Sequence, residues 1–485
     1  VTTPSDPTAR LLGEKIFSEN DQQLFAELSG DRNPMHMDAT AARRLITGRQ
    51  VVHGVHVFLN ALELWSRDKP AFAAHIECNF NNPVSVGDRV SFLEKEDEQG
   101  NTVIEASVSG LVCAHVTLSA QATAPDRRAP PAPAGPAPIV LGPLAQPLDQ
   151  APATQANQTY RITTRSLHLT RHFPAACRFM GEQGAAAVVS LSYFVGMVCP
   201  GLHSVFTSFH CQPSPGDAGS LEFLVRRYDH RFQLFDITFK GCIQGGIRAF
   251  VRPPPQAQAT LDEIESCVRT GEFAGSHSLV IGGSRGLGEL CAKILAAGGA
   301  RVTISYASGS TDAQRIQDEI CASGNGECHI QRLDLTAPNL DWAQIVPADT
   351  DTIYFFATPR IFRKKVGLFD ADLFREFSLY YLERFHDLCR HLEERPGDRR
   401  VKVFLPSTVF ITDRPKGMAE YAMAKAAAEI LVEEINGSFK NVFVVSARLP
   451  RLNTDQTASI FKQATESNLD VMLPIIRSLQ ENASA

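Results

Sequence analysis

Residues 278–310 read SLVIGGSRGLGELCAKILAAGGARVTISYASGS: an apolar run, a glycine-rich turn, an amphipathic stretch and a second apolar run. The order strand, turn, helix, strand predicts a βαβ unit of an α/β Rossmann doubly wound parallel sheet. Gly282, Gly286 and Gly288 let the backbone bend and approach a pyrophosphate at the helix N-terminus, where unsatisfied N–H groups and the helix dipole favour phosphate. The second strand ends in SYAS (305–308), with no carboxylate for a free ribose 2′-hydroxyl, and Arg285 in the turn offers a cation to a 2′-phosphate. These features favour NADPH over NADH.

Downstream lie Asp334 in RLDLT, then FFATP (355–359), FLPSTVFI (404–411) and Tyr421-Ala-Met-Ala-Lys425 in a helical window. A Tyr and a Lys four apart share a helix face, so an ammonium there lowers the phenol pKa. In this order the motifs resemble the short-chain dehydrogenase/reductase family, from residue 278 to about 460. The resemblance implies Tyr421 as proton donor, Lys425 as its partner, and Ser407 as the hydroxyl on the substrate carbonyl. Its spacing to Tyr421 is one residue longer than is common in that family, so Thr408 shares or takes the role. The implied cofactor contacts are Gly282, Ser284, Arg285, Gly286, Leu287, Gly288, Ser308, Asp334, Ala357, Tyr421, Lys425, Pro450 and Thr454. Several positions depart from the family: its NNAG becomes FFAT (355–358), its helical Asn falls at Tyr380 or Tyr381, and its later PG becomes Pro450-Arg451. The segment after Pro450 has room for a helix or two but not for the usual last strand.

Toward the other end, FAELSGDRNPMHMD (25–38) sets Asp31, Asn33 and His36 in one short, polar, Pro-containing turn that a core would reject. With HGVHVFLNALELW (53–65) and FNNPVSVGDRVSF (80–92), this resembles the MaoC-like (R)-specific enoyl hydratase family, an α+β hotdog fold. The resemblance implies that Asp31 and His36 hold the water added to or lost from a β-carbon and share general acid and base roles, while Asn33 orients the loop. Dehydration of a 3-hydroxyacyl thioester needs such a carboxylate and imidazole on one substrate face. It also needs a polarised carbonyl, and Gly54, opening an apolar helix, presents a backbone N–H to the oxygen. His56 reads as a packing residue.

Between these regions the Pro- and Ala-rich run APPAPAGPAP (129–138) lacks backbone donors and favours extended conformations. The expected organisation is a hotdog carrying the catalytic motif at 1–123, a linker at 124–156, a second hotdog at 157–257, a linker at 258–277 and the Rossmann domain at 278–485. A faint repeat supports the double hotdog: LSGD (28–31) against MGEQ (180–183), HGVHVF (53–58) against PGLHSVF (200–206), and VGDRVSF (86–92) against PGDAGSLEF (215–223). In this alignment Asp31, Asn33 and His36 become Glu182, Gly184 and Ala187, so the second copy keeps no acid–base pair. It completes a pseudo-dimer around a tunnel for the acyl chain, and His203 is structural.

The chain has 485 residues, 44% of them hydrophobic, and a net charge of −6, which points to several packed domains and argues against nucleic acid or anionic membranes as partners. Eleven cysteines without a CxxC pair fit reduced thiols, no metal site and a cytoplasmic location. No secretion signal or membrane span is visible, and a homodimer is compatible with the sequence. The two resemblances imply consecutive reactions on one acyl thioester carried by coenzyme A or an acyl carrier protein. These are NADPH-dependent reduction of a 3-oxoacyl group and dehydration of the 3-hydroxyacyl product to the 2-enoyl thioester, as in fatty-acid or polyketide biosynthesis. Three other readings stay open: hydration followed by NADP-linked oxidation, a reductase acting on another carbonyl, and a reductase fold retained as a binding scaffold.

Overall fold

The computed structural model describes residues 9–69, 75–119, 137–165, 168–363, 365–396, 400–460 and 463–481. The chain forms two compact units, Val1–Pro254 with Ser459–Lys462, and Pro255–Ala458 with Gln463–Ala485. In the first, strands β1 (Arg10–Ile16), β2 (His75–Phe80), β3 (Arg89–Glu96), β4 (Thr102–Val108) and β5 (Leu111–Ser119) belong to one half. Strands β6 (Ile139–Leu141), β7 (Thr159–Thr163), β8 (Ser204–Pro213), β9 (Ser220–Asp229), β10 (Leu234–Lys240) and β11 (Ile243–Val251) belong to the other. They make one 11-stranded sheet in the order β1-β3-β4-β5-β2-β8-β11-β10-β9-β7-β6. Without the short β6, the second half is the first read in reverse, which is the signature of two hotdogs joined edge to edge. The seam is antiparallel, with Ile76 opposite Cys211 and Asn79 opposite Ser208.

Each half wraps its sheet around one helix, Gly54–Trp65 or Glu182–Tyr193. GVHVFLNALELW is apolar nearly all round, and Val55, Val57, Phe58, Leu59, Ala61 and Leu62 are all buried, as an engulfed helix requires. The strands alternate instead, β10 running intermediate, buried, intermediate, buried along LFDITFK, as befits a sheet with one face on a core.

This topology corrects the register of the repeat. The equivalent of the helix at Gly54 begins at Glu182, whereas PGLHS lies after that helix, in the turn before β8. Glu182, Gly184 and Ala187 therefore match the start of the first half's helix, not Asp31, Asn33 and His36. Only VGDRVSF and PGDAGSLEF are true counterparts, leading into β3 and β9. Part of the expected linker at 124–156 is built into the second half: Ile139–Leu141 pairs with β7, and Gln155 is fully buried with its Nε2 donating to Val198 O. The rest of it, through residue 136, lies outside the described residues.

The second unit is a six-stranded sheet of β12 (His277–Ile281), β13 (Arg301–Tyr306), β14 (Glu327–Arg332), β15 (Thr352–Phe355), β16 (Val401–Thr408) and β17 (Val442–Leu449). All its pairings are parallel, in the order β14-β13-β12-β15-β16-β17, the Rossmann order with its switch point between β12 and β15. Much of the segment expected as a linker at 258–277 is core here. Thr260 and Glu263 form a capping box on the helix Leu261–Glu265, and Leu261, Ile264, Val268 and Phe273 are buried against the sheet's helices. After β17 comes the helix Asn468–Glu481, with no further strand among the described residues.

Candidate functional sites

In the first unit the helix Glu19–Ser29 stops at Gly30, whose left-handed φ of +78° turns the chain back so that Asp31 points into the junction of the two halves. Asn33 caps the short helix Pro34–Met37 through Met35 N (3.1 Å), and its Nδ2 donates to Gly196 O (2.9 Å), Gly201 O (3.1 Å) and Leu202 O (3.3 Å). One carboxamide thus ties the Asp31 loop to the second hotdog. His36 lies 2.7 Å from Val51 O through Nδ1; a carbonyl only accepts, so Nδ1 carries the proton and Nε2 keeps its lone pair in the neutral ring. Gln22 and Gln50 both donate to His36 O, at 2.9 and 2.6 Å, and fix its backbone.

His53 stacks on His36 with ring centroids 3.9 Å apart, and its Nε2 sits 3.1 Å from Asp31 O and 4.0 Å from Asp31 Oδ2. Donor atoms of Asp31, His36 and His53 all lie within 4.8 Å of one another. His36 Nδ1 and His53 Nε2 each face a carbonyl oxygen. Asp31 is 2% exposed, its Oδ2 accepting from Ser192 Oγ at 2.8 Å and its Oδ1 from Asn33 N at 3.2 Å. Burial raises the Asp31 carboxyl above its ordinary range, against the pull of His36 and these hydrogen bonds. Burial likewise lowers the His36 imidazole, with the Arg252 charge acting in the same direction and Asp31 opposing. Arg252, 3% exposed, donates to the same Leu202 O (2.6 Å) that accepts from Asn33.

Gly54 is the first residue of the central helix, and a Cβ there would meet the Phe80 ring at 3.0 Å. His53, its N-cap, makes no side-chain capping bond, and its O accepts from His56 N and Val57 N, so the first two N–H groups of the helix, at Gly54 and Val55, are left without a helical acceptor. His56 is boxed by Phe17, Phe25 and Phe173, and burial pulls its imidazole down to about 3, a neutral packing group. His203 stands apart, with Nε2 3.5 Å from Asp149.

In the second unit the glycine turn has the backbone that a phosphate cradle needs. Gly282 is left-handed (φ +84°), and a Cβ on it would lie 2.7 Å from Ala357 N; one on Gly288 would lie 2.2 Å from Gly282 O. The turn hangs on β13, where Ser305 accepts from Gly282 N and Gly283 N. The helix Gly286–Ala297 starts there, Arg285 its N-cap without a side-chain cap, and Leu287 and Thr454 flank it. Ser284 is buried in the turn, Ser308 is exposed just after β13, Asp334 is capped by Thr336, and Pro450 follows β17. Arg285 Nη1 is 3.7 Å from Asp455, a carboxylate 5% exposed that also accepts from Gln256 N. We expect Gly288→Val to abolish NADPH quenching of intrinsic fluorescence and to lower the melting temperature, because the atom in its way is backbone.

Around Tyr421 the structure separates the two candidate hydroxyls. The hydroxyl bonded to the phenol belongs to Thr408, while Ser407, on the other face of β16, gives its proton to Glu429 at 2.5 Å, a carboxylate clamped by Arg448 at 2.8 and 2.7 Å. Neighbouring strand residues point to opposite faces, so only one of the pair reaches the site. Lys425 follows Tyr421 by four residues on the same helix. Its Nζ donates to Pro406 O (2.6 Å) and sits 3.7 Å above the centre of the Tyr381 ring, while burial pushes Tyr421 up to about 12 and pulls Lys425 down to about 7. Tyr381 lies in a π-helical turn (Leu379–Arg384) and is bonded to Thr358.

Residues 2–115 match the family described as MaoC like domain. Two curated relatives are a 3-hydroxybutyryl-CoA dehydratase of Methylorubrum extorquens, 33% identical over 103 residues (21% of this chain, 64% of the relative), and a mitochondrial 3-hydroxyacyl-[acyl-carrier-protein] dehydratase of Arabidopsis thaliana, 32% identical over 77 residues (16% and 46%). The chain thus spans less than two thirds of either relative. Among solved structures, FolM alternative dihydrofolate reductase 1 from Brucella suis with NADP is 19% identical, covering 43% of this chain and 90% of that one, with a TM-score of 0.37. A 3-oxoacyl (acyl-carrier-protein) reductase from Agrobacterium tumefaciens with NADP is 23% identical, covering 40% and 75%, with a TM-score of 0.35. The Rossmann assignment rests on the strand order itself.

Three residues at the Asp31 site were not legible in the sequence. His53 had one usable signal, its place directly before Gly54. Ser192 and Gly196 had none, lying in an apolar stretch of the other half. A Cβ on Gly196 would lie 2.2 Å from Asp31 Oδ1. Gly196→Ala is therefore expected to displace the carboxylate and lower thioester hydration by at least about tenfold, read by steady-state kinetics.

Proposed function

We propose that this protein is a bifunctional acyl-thioester enzyme that reduces a 3-oxoacyl thioester with NADPH and dehydrates the 3-hydroxyacyl product to the 2-enoyl thioester. The observation that carries the dehydratase reading is the convergence of buried Asp31 and His36 on His53, the N-cap of the helix that starts at Gly54. The N–H of Gly54 polarises the thioester carbonyl, which acidifies the α-carbon. Asp31 and the free Nε2 of His36 share the proton work: one takes the α-proton and the other protonates the β-hydroxyl, which leaves as water while the double bond forms. Hydration is the same sequence reversed. Asn33 holds the loop in place.

In the Rossmann domain the glycines whose Cβ atoms would strike backbone fit a pyrophosphate. NADPH held there supplies the hydride to the β-carbonyl carbon. Tyr421 gives the oxygen its proton, and Thr408 orients the carbonyl. The acyl group arrives on coenzyme A or an acyl carrier protein.

A second reading of this half, as a cofactor-binding scaffold without turnover, is favoured by one observation: Lys425 is occupied by Pro406 O and the Tyr381 ring. Both readings meet in one experiment. The protein is incubated with NADPH and a 3-oxoacyl thioester, on coenzyme A and separately on a carrier protein, and followed by NADPH absorbance and mass spectrometry. NADPH consumption with a 2-enoyl product supports the coupled activity. Binding without oxidation, together with dehydration of a supplied 3-hydroxyacyl thioester, replaces it with the scaffold reading.

A further inference from the structure

The second hotdog has a stretch between β7 and its helix about half as long as that between β1 and the first helix. Yet it packs two of its own residues against the Asp31 carboxylate. Within AAAVVSLSYFVG (185–196) there are two buried serines, and they behave differently. Ser190 Oγ donates to Ala186 O one turn back (2.9 Å), the ordinary resting place of a buried helical hydroxyl. Ser192, 4% exposed, instead donates across the junction to Asp31 Oδ2 at 2.8 Å. The helix then widens into a π-helical turn, Phe194–Val198, which brings the bare Cα of Gly196 against the same carboxylate.

We propose that Ser192 is a positioning residue for the chemistry at Asp31, its hydroxyl fixing both the direction and the ionised form of the carboxylate from the other half of the pseudo-dimer. This rests on the dehydratase reading above and deepens it. A buried carboxylate needs charge-assisted donors to remain ionised. Asp31 has Ser192 Oγ and Asn33 N, while its titratable neighbours are His36 on the loop, His53 at the start of the first helix and Tyr193 beside Ser192, with Arg252 acting on His36 from beyond β11. Removal of the hydroxyl leaves only His36 and the loop amide to oppose burial, so Asp31 holds its proton to higher pH.

The test is Ser192→Ala beside Ser190→Ala, Ser192→Thr and the wild type. Aspartate 13C-carboxyl NMR, assigned with Asp31→Asn, reads the titration without turnover. The expected result is a titration moved to higher pH in Ser192→Ala alone. In parallel, the acid limb of kcat/KM for hydration of 2-butenoyl-coenzyme A moves the same way and kcat falls by about tenfold. KM and melting temperature stay near those of Ser190→Ala, and Ser192→Thr recovers the limb. An Asp31 titration unchanged in Ser192→Ala overturns the proposal, as does a loss of rate without a shifted limb. Wild-type protein inert toward the thioester overturns the dehydratase reading instead, and the NMR titration then decides the hydrogen bond by itself.

Discussion

Asp31→Asn is expected to lower hydration of a 2-enoyl thioester by about 10²- to 10⁴-fold and, at neutral pH, to raise the melting temperature. The rate falls because a carboxamide neither takes nor gives the proton. The stability rises because burial lifts the folded-state pKa of Asp31 above the unfolded value of 3.8. A carboxyl with that sign stabilises the folded protein below the ordinary carboxylate range, and the benefit is lost as pH climbs through the raised value. At neutral pH the charged, 2% exposed group is a net cost, which the neutral isostere removes. Melting curves at pH 4 and pH 7 check the sign: the gain over wild type is larger at pH 7. A variant that loses activity and melts lower at both would mean that the carboxylate is better satisfied than its two hydrogen bonds suggest.

The second large effect falls in the Rossmann domain. Tyr421→Phe is expected to cut NADPH-dependent reduction by about 10²- to 10⁴-fold, and Thr408→Val to follow it, with NADPH binding retained in both. Ser407→Ala is expected to keep its rate and lose only stability, about 1 kcal/mol for the hydrogen bond to Glu429. Stopped-flow NADPH oxidation and chemical denaturation separate the two hydroxyls. Inverted results for Ser407 and Thr408 would place the active face of β16 on the wrong side of the sheet.

The same pair shows where sequence reading stops. Motif order located the strand carrying Ser407 and Thr408, because β16 ends there in any sheet of this order, but which hydroxyl faces Tyr421 depends on pleat phase, and one residue of register inverts it. The glycine turn was legible throughout, since its requirements are backbone ones and glycine declares them. At the other site Asp31, Asn33 and His36 fall in one turn, so local pattern sufficed. His53 needed the helix start to be folded against that turn. Ser192 needed the second hotdog in place, 161 residues away. The internal repeat was real at β3 and β9 and misregistered elsewhere, because a double hotdog keeps its strand order while its loops change length, and loops supplied the strings being compared. The Asp455 carboxylate beside Arg285 was not legible because it lies far along the chain.

The β2–β8 seam has a consequence for how the chain is made. β2 ends at Phe80 and its partner begins only at Ser204. At about 5–20 residues per second, the nascent first half waits on the order of ten seconds before that partner leaves the ribosome. Throughout that interval β2 is an outermost strand with a row of unclaimed amide and carbonyl groups, open to any other nascent copy, and chains halted before residue 204 should aggregate where the full-length protein does not.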